Sequence, residues 1–128
     1  LFSRLSVLYL SNFSEIRKIY NRGKNEVIML KHVVLFKLKE YASAEEKVAA
    51  LDTFETKLLA LKKTISELKY IEVGRHFVTD SPSFDLCLIT HFVSPEALEA
   101  YKIHPDHQAI LPFVMDVTVA RAAVDFEF

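Results

Sequence analysis

The order in which strand-like and helix-like stretches follow one another constrains this fold more than any other feature of the sequence. The stretch LKHVVLFKLK (30–39) alternates with a period of two, and its centre is apolar on both faces, as in a strand covered on both sides. Ser43 and Glu46 then form a capping box, after which apolar residues recur at helical spacing from Val48 to Leu68. The predicted elements are a strand at 30–39, a helix at 44–66, strands at 69–78 and 84–93, two helices that begin after Ser94 and His104, and a strand at 120–128.

The resulting order, β-α-β-β-α-β, predicts an α+β, ferredoxin-like monomer with a four-stranded antiparallel sheet and its helices on one face. The loop TDSPS (79–83) is short enough to make a hairpin of the second and third strands. Pro95 and Pro105 are expected at first helical positions, where a missing N–H costs little. Pro112 is expected to kink or break the last helix, because it removes one backbone donor.

The sheet face that points away from the helices is also predicted to be apolar. It carries Val33 and Leu35 of the first strand and, in the expected register, Cys87, Ile89 and Val93 of the third. A contiguous apolar patch of this kind usually marks an interface. We therefore expect a two-fold homodimer whose sheets pack face to face and form a dimeric α/β barrel.

Composition excludes several classes of protein. The chain has 128 residues, a net charge of −1, two glycines and one cysteine. These values predict one folded domain, no bias toward nucleic acid or membrane, no glycine-rich phosphate loop and no disulfide or CxxC motif. Cys87 in an apolar strand is expected to be an inert thiol, and a reduced cysteine suits the cytoplasm.

The first 28 residues differ from the remainder in charge. They contain five Lys or Arg and two Asp or Glu, so their net charge is +3. Their apolar run, Leu5 to Leu10, is too short for a membrane span and lacks a following signal-peptidase site. We interpret residues 1–28 as an extension outside the core and residues 29–128 as the domain.

Four stretches of the chain together resemble one known family. The segments LKHVVLFKLK, FVSPEALEAY, IHPDHQAI and VDFEF are similar to those of the stress-responsive A/B barrel domain, a group within the dimeric α/β-barrel superfamily. The resemblance spans residues 29–128 and implies a ferredoxin-like monomer that closes into a homodimer through its sheets. Most bacterial members have no known activity.

The resemblance also suggests site residues. Plant members include olivetolic acid cyclase, a cofactor-free polyketide cyclase, whose functional residues match His32, Tyr101 and His107 here. A further histidine of that enzyme falls on Leu86, so that part of its substrate pocket is not reproduced, and the pocket cannot be carried over to this chain. The family implies no cofactor for this chemistry.

Residue spacing places the same three side chains near one another. His107 has apolar neighbours at +3, +4 and +7, so it is predicted to point toward the sheet. His32 lies on an otherwise apolar strand face, and Tyr101 on the inner side of the preceding helix. In the catalytic interpretation, His107 takes a proton from carbon, Tyr101 donates to the developing enolate, and His32 orients either one.

Two other interpretations of these residues remain open at this point. The three groups also fit a buried cluster that only satisfies its own hydrogen bonds, in a non-catalytic stress-response or structural dimer. A metal site would use His104, Asp106 and His107, but the first histidine lies outside the helix and the other inside it, so their rings should diverge. The sequence therefore predicts no metal site, and the expected partners are a second copy of the chain and a small, mostly apolar ligand. His76 and His91 lie outside the motif and are assigned no role.

Overall fold

The computed structural model describes residues 28–79 and 81–128. The predicted extension at 1–28 lies, apart from its last residue, outside the described part of the chain. The described elements are, in chain order, β1 (Leu30–Leu38), α1 (Ala44–Thr64), β2 (Tyr70–Arg75), β3 (Leu86–Phe92), α2 (Pro95–Ile103), α3 (Pro105–Val117) and β4 (Thr118–Glu127).

The four strands form one antiparallel sheet in the order β2-β3-β1-β4, and this confirms the predicted ferredoxin-like fold. The first strand lies between β3 and β4, which explains why it is apolar on both faces at its centre. The second strand is shorter than predicted and ends at Arg75, whereas β4 begins two residues early, at Thr118 directly after α3.

Side-chain caps begin the helices where the sequence predicts. Ser43 accepts a hydrogen bond from the backbone N–H of Glu46, and Ser94 accepts one from Ala97. His104 begins α3, and its Nδ1 accepts from the N–H of Asp106. Each contact satisfies a donor that the first helical turn leaves unpaired, so the three starts are fixed locally.

The core lies between the helices and one face of the sheet. Phe54 of α1 is fully buried, with its ring 4.9 Å from that of Phe36 and 5.6 Å from that of Phe113. The aromatic cluster therefore joins β1, α1 and α3. Val48, which the helical spacing placed in the core, is instead 51% exposed, because it lies near the helix start, beyond the buried stretch that begins at Leu51.

The helix α3 continues through Pro112 without a break. Proline removes one backbone donor, but the residues on both sides, Ile110, Phe113 and Val114, pack against the core. This packing offsets the lost hydrogen bond and keeps the last turns in place. Helix α3 consequently forms one uninterrupted wall over the sheet.

The outer sheet face is apolar, as predicted. Val33 lies opposite Ile89 and Leu35 opposite Cys87, so the expected register of these two strands is confirmed. On β4 the same face adds exposed Val124 and is extended by Phe126 and Phe128. Among the described residues no helix is long and apolar enough to cross a membrane.

Candidate functional site

A cavity of about 390 Å³ lies between the sheet and the helices α2 and α3. Its wall is mainly apolar, with Val34, Phe36 and Leu88 on the sheet side and Ile110, Leu111 and Val114 on α3. The three α3 residues are the apolar neighbours that orient His107. His32, Tyr101 and His107 all line the same cavity, so the structure brings the three predicted site residues together.

His107 is held as a neutral imidazole with one free nitrogen. Its Nδ1 donates to the backbone carbonyl of Lys102 at 2.9 Å, so the proton is on Nδ1 and Nε2 carries the lone pair. Burial lowers the pKa of His107 below its ordinary value, and electrostatic interaction with His32, Arg121 and His104 lowers it further, although the hydrogen bond to the Lys102 carbonyl acts in the opposite direction. A neutral imidazole with a free Nε2 is suited to accept a proton.

Tyr101 combines deep burial with an unused hydroxyl. Its ring packs 5.0 Å from the Phe92 ring and 4.5 Å from the His107 ring. The hydroxyl oxygen is shielded from solvent and has no hydrogen-bond partner in the described part of the chain. Burial raises the pKa of Tyr101 to about 12, so the phenol stays protonated and remains a donor. A buried polar atom without a partner is costly, which makes this hydroxyl exceptional in the fold.

His32 is oriented by a carboxylate on the neighbouring strand. Its Nδ1 donates to Oδ1 of Asp125, which lies opposite it in the β1–β4 register. The hydroxyl of Thr90 donates to the His32 carbonyl at 3.1 Å and ties the same residue to β3. The Asp125 contact fixes the tautomer of His32 and leaves its Nε2 free of the carboxylate.

Comparison with known proteins assigns the domain. The profile of the stress-responsive A/B barrel domain matches residues 30–128. The chain belongs to this family. No functionally curated protein matches the sequence.

Solved structures with the same fold include one that is described as a member of this family. A dimeric protein of unknown function from Bacteroides fragilis NCTC 9343 is 33% identical, with 78% of this chain and 96% of that chain covered and a TM-score of 0.72. A dabb family protein from Mesorhizobium loti is 21% identical, with 77% and 95% covered and a TM-score of 0.60. Hydroxynitrile lyase from Passiflora edulis is 12% identical, with 80% and 95% covered and a TM-score of 0.68, a likeness of fold alone.

Sequence reasoning missed two charged residues of this A/B barrel site. The period of two places Arg121 and Asp125 on one face of the last strand, but the sequence alone assigns them no role. The register places Asp125 against His32 and Arg121 opposite Phe36, and Arg121 lines the cavity. The alternation of these two residues with apolar ones is visible in the sequence. Only the pairing of β4 with β1 shows that their face of the strand lies on the cavity side of the sheet.

The remaining candidate side chains lie elsewhere in the domain. His91 is on the outer sheet face, where its ring stacks 4.5 Å from that of Tyr70, and His76 is exposed after β2. Cys87 is half-buried on the same outer face, and burial raises its thiol pKa. Within residues 28–79 and 81–128, no three His, Cys, Asp or Glu side chains are grouped closely enough to hold a metal ion.

Proposed function

We propose that this A/B barrel protein is a cytoplasmic homodimer that binds a small, mostly apolar molecule in the cavity and performs cofactor-free acid–base chemistry on it. One observation carries the proposal. The buried Tyr101 hydroxyl has no partner among the described residues, and Tyr101 lines the same apolar cavity as the neutral His107, as expected of groups that meet a ligand. The single unpaired cysteine suits a reducing compartment.

The roles follow from the protonation states. His107 Nε2 removes a proton from a carbon beside a carbonyl group, and the electron pair moves to the carbonyl oxygen. The Tyr101 hydroxyl donates a hydrogen bond to that oxygen as its charge develops. His32, oriented by Asp125, assists at the same oxygen or positions the substrate. Return of the proton to another carbon completes an isomerase step without a redox change. In a cyclase step the enolate carbon instead attacks a second carbonyl of the same molecule, and the oxygen of that carbonyl takes the proton. In a lyase step the enolate re-forms its carbonyl and expels a group from the adjacent β-carbon, and the leaving group takes the proton.

The alternative, a closed cluster that serves only stability, requires that the three groups satisfy one another. In the structure His107 donates to a backbone carbonyl and His32 donates to Asp125, whereas the Tyr101 hydroxyl has no hydrogen-bond partner among the described residues. The rings of Tyr101 and His107 are in contact, but their polar atoms are not paired. This arrangement favours the ligand-binding function over the structural one.

Two relatives support the remaining parts of the proposal. The Bacteroides fragilis protein is dimeric, and the outer sheet face here offers the apolar surface that a dimer needs. The Passiflora edulis protein is a hydroxynitrile lyase, so the same fold carries lyase chemistry in at least one enzyme. Neither likeness identifies a substrate for this chain.

Deuterium exchange tests the chemistry directly. Methyl heptyl ketone is incubated with the protein in D₂O at neutral pH, and loss of its α-proton signals is followed by NMR. We expect exchange catalysed by the wild type, and a rate about 10²–10⁴ lower for His107→Ala. His76→Ala is the matched control and should keep the wild-type rate, because His76 is exposed and outside the cavity. A wild-type rate equal to that of His107→Ala would refute the proposed chemistry.

A further inference from the structure

Arg121 is a cation in the cavity wall. In the described part of the chain its guanidinium makes no hydrogen bond or ion pair. The other cation in the wall, Lys102, donates to Glu99 at 2.9 Å. Arg75, the other described arginine, contacts both Asp52 and Glu55. Arg121 therefore differs from Lys102 and Arg75, because no carboxylate among the described residues neutralises its charge.

The cavity wall supplies no anion to match this cation. Among the described residues that line it, none is Asp or Glu. Asp125 is nearby on β4, but it is engaged with His32. An apolar cavity with positive charge and no carboxylate is complementary to a ligand that is apolar along its length and negative at one end.

The position of Arg121 also sets a direction for such a ligand. Arg121 lies opposite Phe36, and Asp125 lies opposite His32. Phe36 and His32 are four residues apart along β1, so Arg121 and Asp125 are separated by about 13 Å along the strand direction. Arg121 is exposed, so a charged group bound to it stays near water while the apolar part enters the cavity. The head group and the reacting carbon then occupy different ends of the site.

We infer that the ligand of this cavity is an apolar carboxylic acid, bound as its carboxylate by the Arg121 guanidinium. A guanidinium matches a carboxylate with two parallel hydrogen bonds, and lysine does not reproduce this geometry. The inference rests on the proposed function, because it names the class of molecule that occupies the same cavity. It also assigns Arg121 as the residue that selects this class.

Calorimetric titration with octanoate and octanamide tests the assignment at neutral pH. The two probes have nearly the same shape and differ in charge. We expect the wild type to bind octanoate about tenfold more tightly than octanamide, a modest factor because Arg121 is exposed to solvent. Arg121→Gln should remove this preference by weakening octanoate about tenfold without changing octanamide. Lys63→Gln, which removes an exposed charge on α1, should leave both affinities unchanged.

The outcomes separate this inference from the proposed function. Equal binding of both probes to the wild type, or a preference that survives Arg121→Gln, overturns the carboxylate assignment and leaves the cavity as a ligand site. Leu111→Trp fills the cavity and should abolish binding of both probes, with its fold checked by circular dichroism. Binding that is unaffected by Leu111→Trp, or no binding of either probe to the wild type, overturns both.

Discussion

Replacement of Tyr101 by phenylalanine separates the two explanations of the site, because they predict opposite changes in stability. The substitution removes one oxygen that is shielded from solvent and has no hydrogen-bond partner among the described residues. It keeps the ring contacts with Phe92 and His107. A buried hydroxyl without a partner costs about 1–3 kcal/mol. The lower end applies here, since the adjoining cavity gives the hydroxyl some freedom to adjust, so the free energy of unfolding should rise by about 1 kcal/mol.

Urea unfolding at one fixed protein concentration measures this change, and a fixed concentration is needed because a dimer's stability depends on it. For a domain of this size, the melting temperature should rise by about 4–8 °C. Tyr41→Phe is the matched control: Tyr41 is half-buried at the edge of the core, so loss of its hydroxyl should change the free energy by less than about 0.5 kcal/mol.

The exchange rate of Tyr101→Phe should decrease, although its free energy of unfolding increases. If Tyr101 donates to a developing enolate, Tyr101→Phe should lower the ketone exchange rate about 10²-fold or more. A more stable but less active variant is the expected result. A variant that loses 1 kcal/mol or more of unfolding free energy would refute the reasoning, because such a loss means that the hydroxyl makes a structural hydrogen bond.

The same structure leads to four further predictions. The acid limb of the exchange rate against pH should lie below pH 6.5, because burial lowers the pKa of His107 from that value. An acid limb of the exchange rate above that pH would contradict the neutral state assigned to His107. The free energy of unfolding should also fall as pH decreases below about 6.5, because His107 takes up a proton more readily in the unfolded chain than in the folded one. Asp125→Asn should lower the exchange rate about tenfold with a smaller change in ligand affinity, because His32 loses the carboxylate that fixes its tautomer; an unchanged rate would exclude His32 from the reaction. Val33→Glu or Ile89→Glu should convert the dimer to monomer or aggregate in light-scattering measurements, and an unchanged dimer mass would place the interface elsewhere.

The elements of this fold were predictable because each is marked locally. Ser43 and Ser94 accept the capping hydrogen bonds that their positions predict, and the strands alternate as their sequences do. The core was less predictable within a helix. Val48 and Phe54 both suit an amphipathic pattern, but only the crossing of α1 over the sheet determines that Phe54 is fully buried and Val48 exposed.

The candidate site was predictable only in part, for a related reason. His107 and Tyr101 lie six residues apart, on consecutive helices, so local geometry was enough to bring them together. His32 and Asp125 are separated by 93 residues, and their contact depends on the register of two strands. A strand register shifted by one residue would turn Asp125 away from His32, and periodicity within β4 alone does not fix that register.

Side chains alternate along β4, so this one strand contributes to both faces of the sheet. Ala122, Val124 and Phe126 share the apolar outer face of the sheet with Val33 and Leu35. The residues between them point to the helix side, where Asp125 orients His32 and Arg121 lines the cavity. Because β4 is an edge strand, it has one strand neighbour in the described sheet, and its position depends on β1 and on whatever covers its outer face. A partner packed on that face would hold in place the strand that supplies both charges, so dimer formation of the proposed kind would be coupled to the geometry of the cavity through β4.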